Sequence, residues 1–207
     1  MEEKKLTEKE SIELITAMIS RTKDRYIGNS KNMLMWGYLV VAVAIIVWIM
    51  LAITHNEEYN WLWFLIPVVG LTATVVMASK ERRKNGVKTY SDRITSSMWT
   101  FVGVYELIAM LGCFCFAFFG TIQCWNMILA FTLVMVPFAE IVQGIIIREK
   151  SLMVGGGIGL AVGIVTTCCI SGGVALDVNW YMPVFIMAFV AMMIVPGHIL
   201  NSKPTAR

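Results

Sequence analysis

What most constrains this chain is an alternation: six long apolar runs, joined by connections that lack and carry Lys and Arg in turn. The runs fall at residues 33–53, 61–79, 97–119, 125–147, 153–175 and 181–200. Each is close to the length of about 20 residues that an α-helix needs to cross a hydrocarbon core of about 30 Å. Backbone amides in that core find no water, so such a chain must close its hydrogen bonds inside helices. The expected fold is an all-α, polytopic transmembrane helical bundle, with the six spans paired as three helical hairpins.

The charges predict how the bundle is oriented. Residues 1–32 hold seven Lys and Arg, residues 80–93 six, residues 148–150 two and the tail beyond 200 two, which accounts for all 17. The other connections, 55–60, 120–124 and 176–180, hold none. Under the positive-inside rule both termini lie in the cytoplasm. Lys80, Arg82, Arg83 and Lys84 are topology anchors first, and contact with anionic lipid headgroups is their second use. The net charge of +3 is explained by this pattern, so nucleic acid is not expected as a partner. With 57% apolar and 15% charged residues, the composition is not that of a water-soluble domain. The first apolar run is longer than a signal-peptide core of about 7–15 residues, and it reads as a retained span.

The chain therefore divides into a cytoplasmic segment (1–32), a transmembrane domain (33–200) and a cytoplasmic tail (201–207). Within the first segment, Thr7-Glu8-Lys9-Glu10 fits a capping box, in which hydroxyl and carboxylate satisfy free amides of a first helical turn. Ile12, Ile15, Ile19 and Tyr26 then share one face, widened by Leu14 and Met18. Acids precede bases along the segment, as the helix dipole favours. Residues 8–27 are expected to form an amphipathic helix. Its apolar face suits the inner leaflet, the protein's own loops, or a cytoplasmic or membrane protein partner.

Two carboxyls interrupt the apolar spans. Glu140 lies in VPFAEIVQGIIIREK of the fourth span and Glu106 in the third. An ionisable group there is costly unless it is paired, neutral or facing a cavity, which makes it a functional candidate. Counted from the inner boundaries at 1.5 Å per residue, Glu106 lies about 13 Å deep and Glu140 about 10 Å deep. The two could then share a proton or one polar cavity. With Tyr105 beside Glu106 and Gln143 a turn below Glu140, they form the candidate intramembrane polar site. The alternative is structural: a buried carboxyl hydrogen-bonding a facing helix, worth about 1 kcal/mol.

Each returning span starts at an interfacial tryptophan (Trp61, Trp125, Trp180) and contains proline: Pro67, Pro137, and Pro183 with Pro196. In the fifth span Gly155, Gly159 and Gly163 recur every four residues. Such a stripe lets another backbone approach closely, so this helix is central or forms a homo-oligomer contact. Cys113, Cys115, Cys124, Cys168 and Cys169 contain no C-x-x-C spacing and read as free thiols acting as small apolar residues. A disulfide at Cys124 is the alternative on an oxidising side. His55, Glu57 and Glu58 read as solvated loop polarity, so no metal site or cofactor is expected. There is no H-E-x-x-H, Walker loop or nucleophile elbow, and an enzyme is not expected.

The opening LTEKESIELITAMISRTK, the Trp-Gly-containing first span and the turn REKSLMVGGGIG resemble polytopic membrane proteins of Bacteroides-type bacteria. The resemblance implies a Gram-negative inner-membrane location and brings no activity and no catalytic residues. Two function classes follow. One is a non-enzymatic regulatory or scaffold protein acting through its N-terminal helix. The other is a small transporter or proton-coupled permease using Glu106 and Glu140.

Overall fold

The computed structural model describes residues 30–82, 90–119 and 124–202, together with 7, 9–13 and 16 near the N-terminus; at 81–82 and 90–92 it describes the backbone alone. Among the described residues there is no strand. Six helices are long and apolar enough to cross a membrane: α1 (Ser30–Thr54), α2 (Glu57–Lys80), α3 (Arg93–Phe119), α4 (Trp125–Ile147), α5 (Lys150–Ser171) and α6 (Val178–Ser202). The chain is an all-α, multi-pass membrane protein. Of the helix expected over residues 8–27, residues 9–13 and 16 are seen to be helical, and the rest lies outside the described residues.

Local chemistry moves several boundaries. α2 starts four residues before the expected span, because Asn56 caps a 3₁₀ turn over Glu57–Phe64 and its side chain accepts from the Glu58 amide at 2.9 Å. His55, at φ 52°, makes the reversal before it. α5 ends at Ser171, four residues short of the expected 175. There the Gly172 amide bonds to Cys168 O at 2.8 Å and Val174 to Cys169 O at 2.8 Å, with Gly173 at φ 70°. A residue at positive φ satisfies the last carbonyls of a helix and ends it, and glycine does so without strain.

The connection between α4 and α5 is tighter still. Arg148 adopts φ 56°, and the Glu149 amide returns to Gly144 O at 2.8 Å. That two-residue reversal sends α5 back along α4. The two stay in contact from Gly144 against Leu152 and Met153, through Gly156 against Ile141, to Gly163 against Leu133. α6 lies against α5 on one side and antiparallel to α1 on the other, where Gly37 meets Met193 and Ile194, and Gly197 meets Leu34. α2 is fastened to α1 by Trp36, whose ring covers Gly70 and whose Nε1 donates to Thr74 Oγ1 at 3.0 Å.

α4 and α6 are the most buried spans (39% and 50%), α2 and α3 the least (11% and 17%). The core is built from Val43, Ala44 and Val47 of α1, Leu133 and Ala139 of α4, and Phe185, Phe189 and Met192 of α6. The outward faces of α2 and α3 carry exposed Val68, Val75, Phe101, Ile108 and Phe118. So much contiguous apolar surface would associate in water; against acyl chains it is the right surface.

Proline explains why α5 is glycine-rich. Pro137 has no amide hydrogen, so the Leu133 carbonyl loses its usual i+4 donor. Gly163 sits directly over that carbonyl: a Cβ there would collide with Leu133 O and with its carbonyl carbon at 2.6 Å. α6 repeats the arrangement. Residues Val190–Ile194 form a π turn in which the Val195 amide bonds to Val190 O. Continuing that i−5 register, Pro196 would have to serve Ala191 O and cannot. Gly155 lies against Ala191 O, 2.9 Å from where its Cβ would be. In hydrocarbon a freed carbonyl needs a neighbour, and a glycine Cα–H can approach it as a weak donor.

This packing separates the glycines by their neighbours. Gly163→Ala should destabilise the protein by about 1–3 kcal/mol, since the clash is with backbone that cannot rotate away. Gly157→Ala, with nothing within 4 Å of its Cβ, should leave stability unchanged or slightly raised. Thermal unfolding of both variants in the same detergent checks the contrast.

Candidate functional site

The polar residues inside the bundle do not form one cluster. The Glu106 carboxylate accepts from Thr132 Oγ1 at 2.8 Å, while its Oε1 is buried with no hydrogen-bond partner among the described residues. Thr132 lies eight residues before Glu140 on α4, about 12 Å of helix axis at 1.5 Å per residue. The carboxyls of Glu106 and Glu140 are therefore at different depths and do not share a site. Gln143 is engaged elsewhere, accepting from Trp99 Nε1 at 2.7 Å. Tyr105 is half exposed on the outer side of α3. The four residues resolve into two α3–α4 bridges, one outward-facing phenol and Glu140.

Glu140 is the distinctive one. It is 1% exposed, and neither carboxylate oxygen has a hydrogen-bond partner among the described residues. It stands one turn after Pro137, in the helix that packs most closely on α5. Gly159 meets both Pro137 and Met192, so α4, α5 and α6 converge within a turn of this carboxyl. Desolvating an unpaired carboxylate costs several kcal/mol, far more than burying the neutral acid. Proton binding or a change in packing at this point would thus act on the tightest part of the bundle.

Gly155, Gly159 and Gly163 are all buried, covered by Pro196, Met192, Pro137 and Leu133 of the same chain. Lys80 is exposed at the end of α2, and the side chains of Arg82, Arg83 and Lys84 lie outside the described residues. The five cysteines are free thiols; Cys113 is buried and donates to Cys124 O at 3.4 Å. Among the described residues no three His, Cys, Asp or Glu side chains are grouped so as to hold a metal ion.

Several functional contacts escape linear reading. Thr132 and Trp99 are the partners of Glu106 and Gln143, and neither stands out in an apolar run. Tyr38 and His198 share a hydrogen bond at 2.7 Å between α1 and α6, with Ser30 donating to Asn201 at 3.3 Å nearer the start of α1 and the end of α6. Glu149 reads as part of a solvated charged turn, yet it is 3% exposed. The left-handed Arg148 before it turns the chain so sharply that the next side chain is carried back against the bundle.

At the N-terminus, the Thr7 amide and hydroxyl donate to the Glu10 carboxylate at 2.8 and 2.9 Å, and the Glu10 amide donates to Thr7 Oγ1 at 3.4 Å. The Thr7 backbone amide, and then its hydroxyl, hold the Glu10 carboxyl below its ordinary value of 4.5. A lowered value means that Glu10 supports the helix start above its ordinary titration range, and that this support is lost as pH falls through the lowered value. Carboxyl NMR of Glu10 in the full chain should show a midpoint below 4.5. Thr7→Ala keeps the backbone amide and removes the hydroxyl, so it should raise the midpoint part of the way towards the ordinary range; equal midpoints would refute the hydroxyl's part in the box. Compared with protein-family models, curated proteins and solved structures, the chain matches none.

Proposed function

We propose that this is a non-enzymatic regulatory or scaffold protein of a bacterial inner membrane, with both termini in the cytoplasm, that presents its N-terminal helix to a protein partner. The single observation that carries this reading is the N-terminal helix start. Thr7 and Glu10 are bonded as a helix-initiating box, and Ile12, the first residue of the amphipathic face, is 65% exposed. A capped helix with an open apolar residue is the kind of element that inserts into a partner's groove. The cytoplasmic placement follows from the distribution of all 17 Lys and Arg under the positive-inside rule. A homo-oligomer would have to use a face other than the Gly155–Gly163 stripe, which α4 and α6 cover.

A second reading, a small proton-coupled carrier, has one specific observation in its favour. Glu140 is enclosed without a hydrogen-bond partner among the described residues, between helices that proline interrupts. Broken helices around a midplane polar group are a recurrent carrier design.

One genetic experiment separates the two. In a strain lacking the chromosomal copy, deletion of residues 1–28 should abolish complementation while Glu106→Gln and Glu140→Gln complement fully. The reverse dependence would establish the carrier reading. Complementation by all three variants would overturn both.

A further inference from the structure

The two bridges between α3 and α4 lie on one edge of their seam. Trp99–Gln143 and Glu106–Thr132 draw the helices together there. Beside them lies a groove of about 490 Å³ lined by Ile94, Ser97, Phe101 and Tyr105 of α3 and by Met135 and Phe138 of α4, almost entirely apolar. Phe101, Tyr105 and Phe138 are 50–62% exposed, so the groove opens sideways into the surrounding membrane.

We propose that this groove is a binding site for one anionic phospholipid, with an acyl chain between α3 and α4 and the headgroup against Arg93. Length and charge together select that occupant. From Ile94 to Tyr105 is about 16 Å of helix axis at 1.5 Å per residue, the depth of one leaflet of a hydrocarbon core about 30 Å thick. A groove of that length matches a single acyl chain and is half of what a transmembrane helix needs.

The mouth supplies the charge. Arg93 is exposed at the start of α3, one residue before Ile94 and one turn before Ser97, both of which line the groove. It closes a segment, residues 80–93, that holds six bases against two acids, Glu81 and Asp92. A guanidinium forms paired hydrogen bonds with phosphate oxygens, and a polybasic segment at the surface adds attraction for anionic headgroups. Ser97 adds a hydroxyl at the entrance. The seam that holds α3 in place would in this way be completed by lipid, which suits a helix only 17% buried by its own chain.

The test uses the full-length protein in nanodiscs of equimolar phosphatidylglycerol and phosphatidylcholine, followed by native mass spectrometry as detergent strips the annular lipid. The expected result is one retained phosphatidylglycerol per chain after most phosphatidylcholine has gone. Arg93→Gln should reduce that preference about five-fold, with the melting temperature unchanged. Ser97→Trp, which fills the entrance from an exposed position, should reduce retention of both lipids. Equal retention of the two lipids by the parent, or a preference unaffected by Arg93→Gln, would overturn the proposal. So would release of all lipid with a second copy of the chain covering the groove. Both leaflets of the nanodisc have the same composition, so the outcome does not depend on which end of the bundle faces the cytoplasm or on the role of the N-terminal helix.

Discussion

The structure depends on how two proline gaps are closed in a medium without water. Pro137 and Pro196 each leave a backbone carbonyl without its helical donor. Both of those carbonyls, on Leu133 and Ala191, are met by α5 glycines, Gly163 and Gly155. No larger residue could come near enough. α5 is therefore the element to which α4 and α6 are both fitted, and its glycines are set by the prolines opposite them.

Much of the remaining architecture follows from that fit. α4, α5 and α6 form a tight unit, α1 packs along α6, and α2 and α3 hang on the outside by tryptophan bridges, Trp36 to Thr74 and Trp99 to Gln143. A tryptophan that donates to a neighbouring helix holds two spans together with one part-buried hydrogen bond and a large apolar area. The loosely held α3 leaves the lateral groove, and the tight unit encloses Glu140. The same packing thus creates the most rigid and the most permissive parts of the bundle.

The spans were legible in the sequence because each must be apolar for its whole length, and the fourth coincides with α4 at both ends. Ends governed by capping were less legible. Gly172-Gly173 stops α5 inside its apolar run, and Asn56 starts a 3₁₀ turn inside what reads as a loop. That Glu106 meets Thr132 and not Glu140 was illegible for a similar reason. The span of α3 begins at Arg93 rather than Ser97, which adds about 6 Å of helix before Glu106 at 1.5 Å per residue. Helix rotation, which linear counting does not contain, then turns Glu106 to Thr132 and Gln143 to Trp99. The seclusion of Glu140, by contrast, was foreshadowed by its apolar surroundings on both sides.

The central claim is that Gly163 is required by Pro137. A double-mutant cycle on Pro137→Ala and Gly163→Ala, read by reversible unfolding in detergent, measures that dependence directly. Pro137→Ala restores a donor to the Leu133 carbonyl, so the penalty for a methyl at position 163 should change. The account predicts a coupling energy of about 0.5–3 kcal/mol, the range found for residues in direct contact. Effects that add within about 0.3 kcal/mol would mean that the proline and the glycine are independent, and would contradict it.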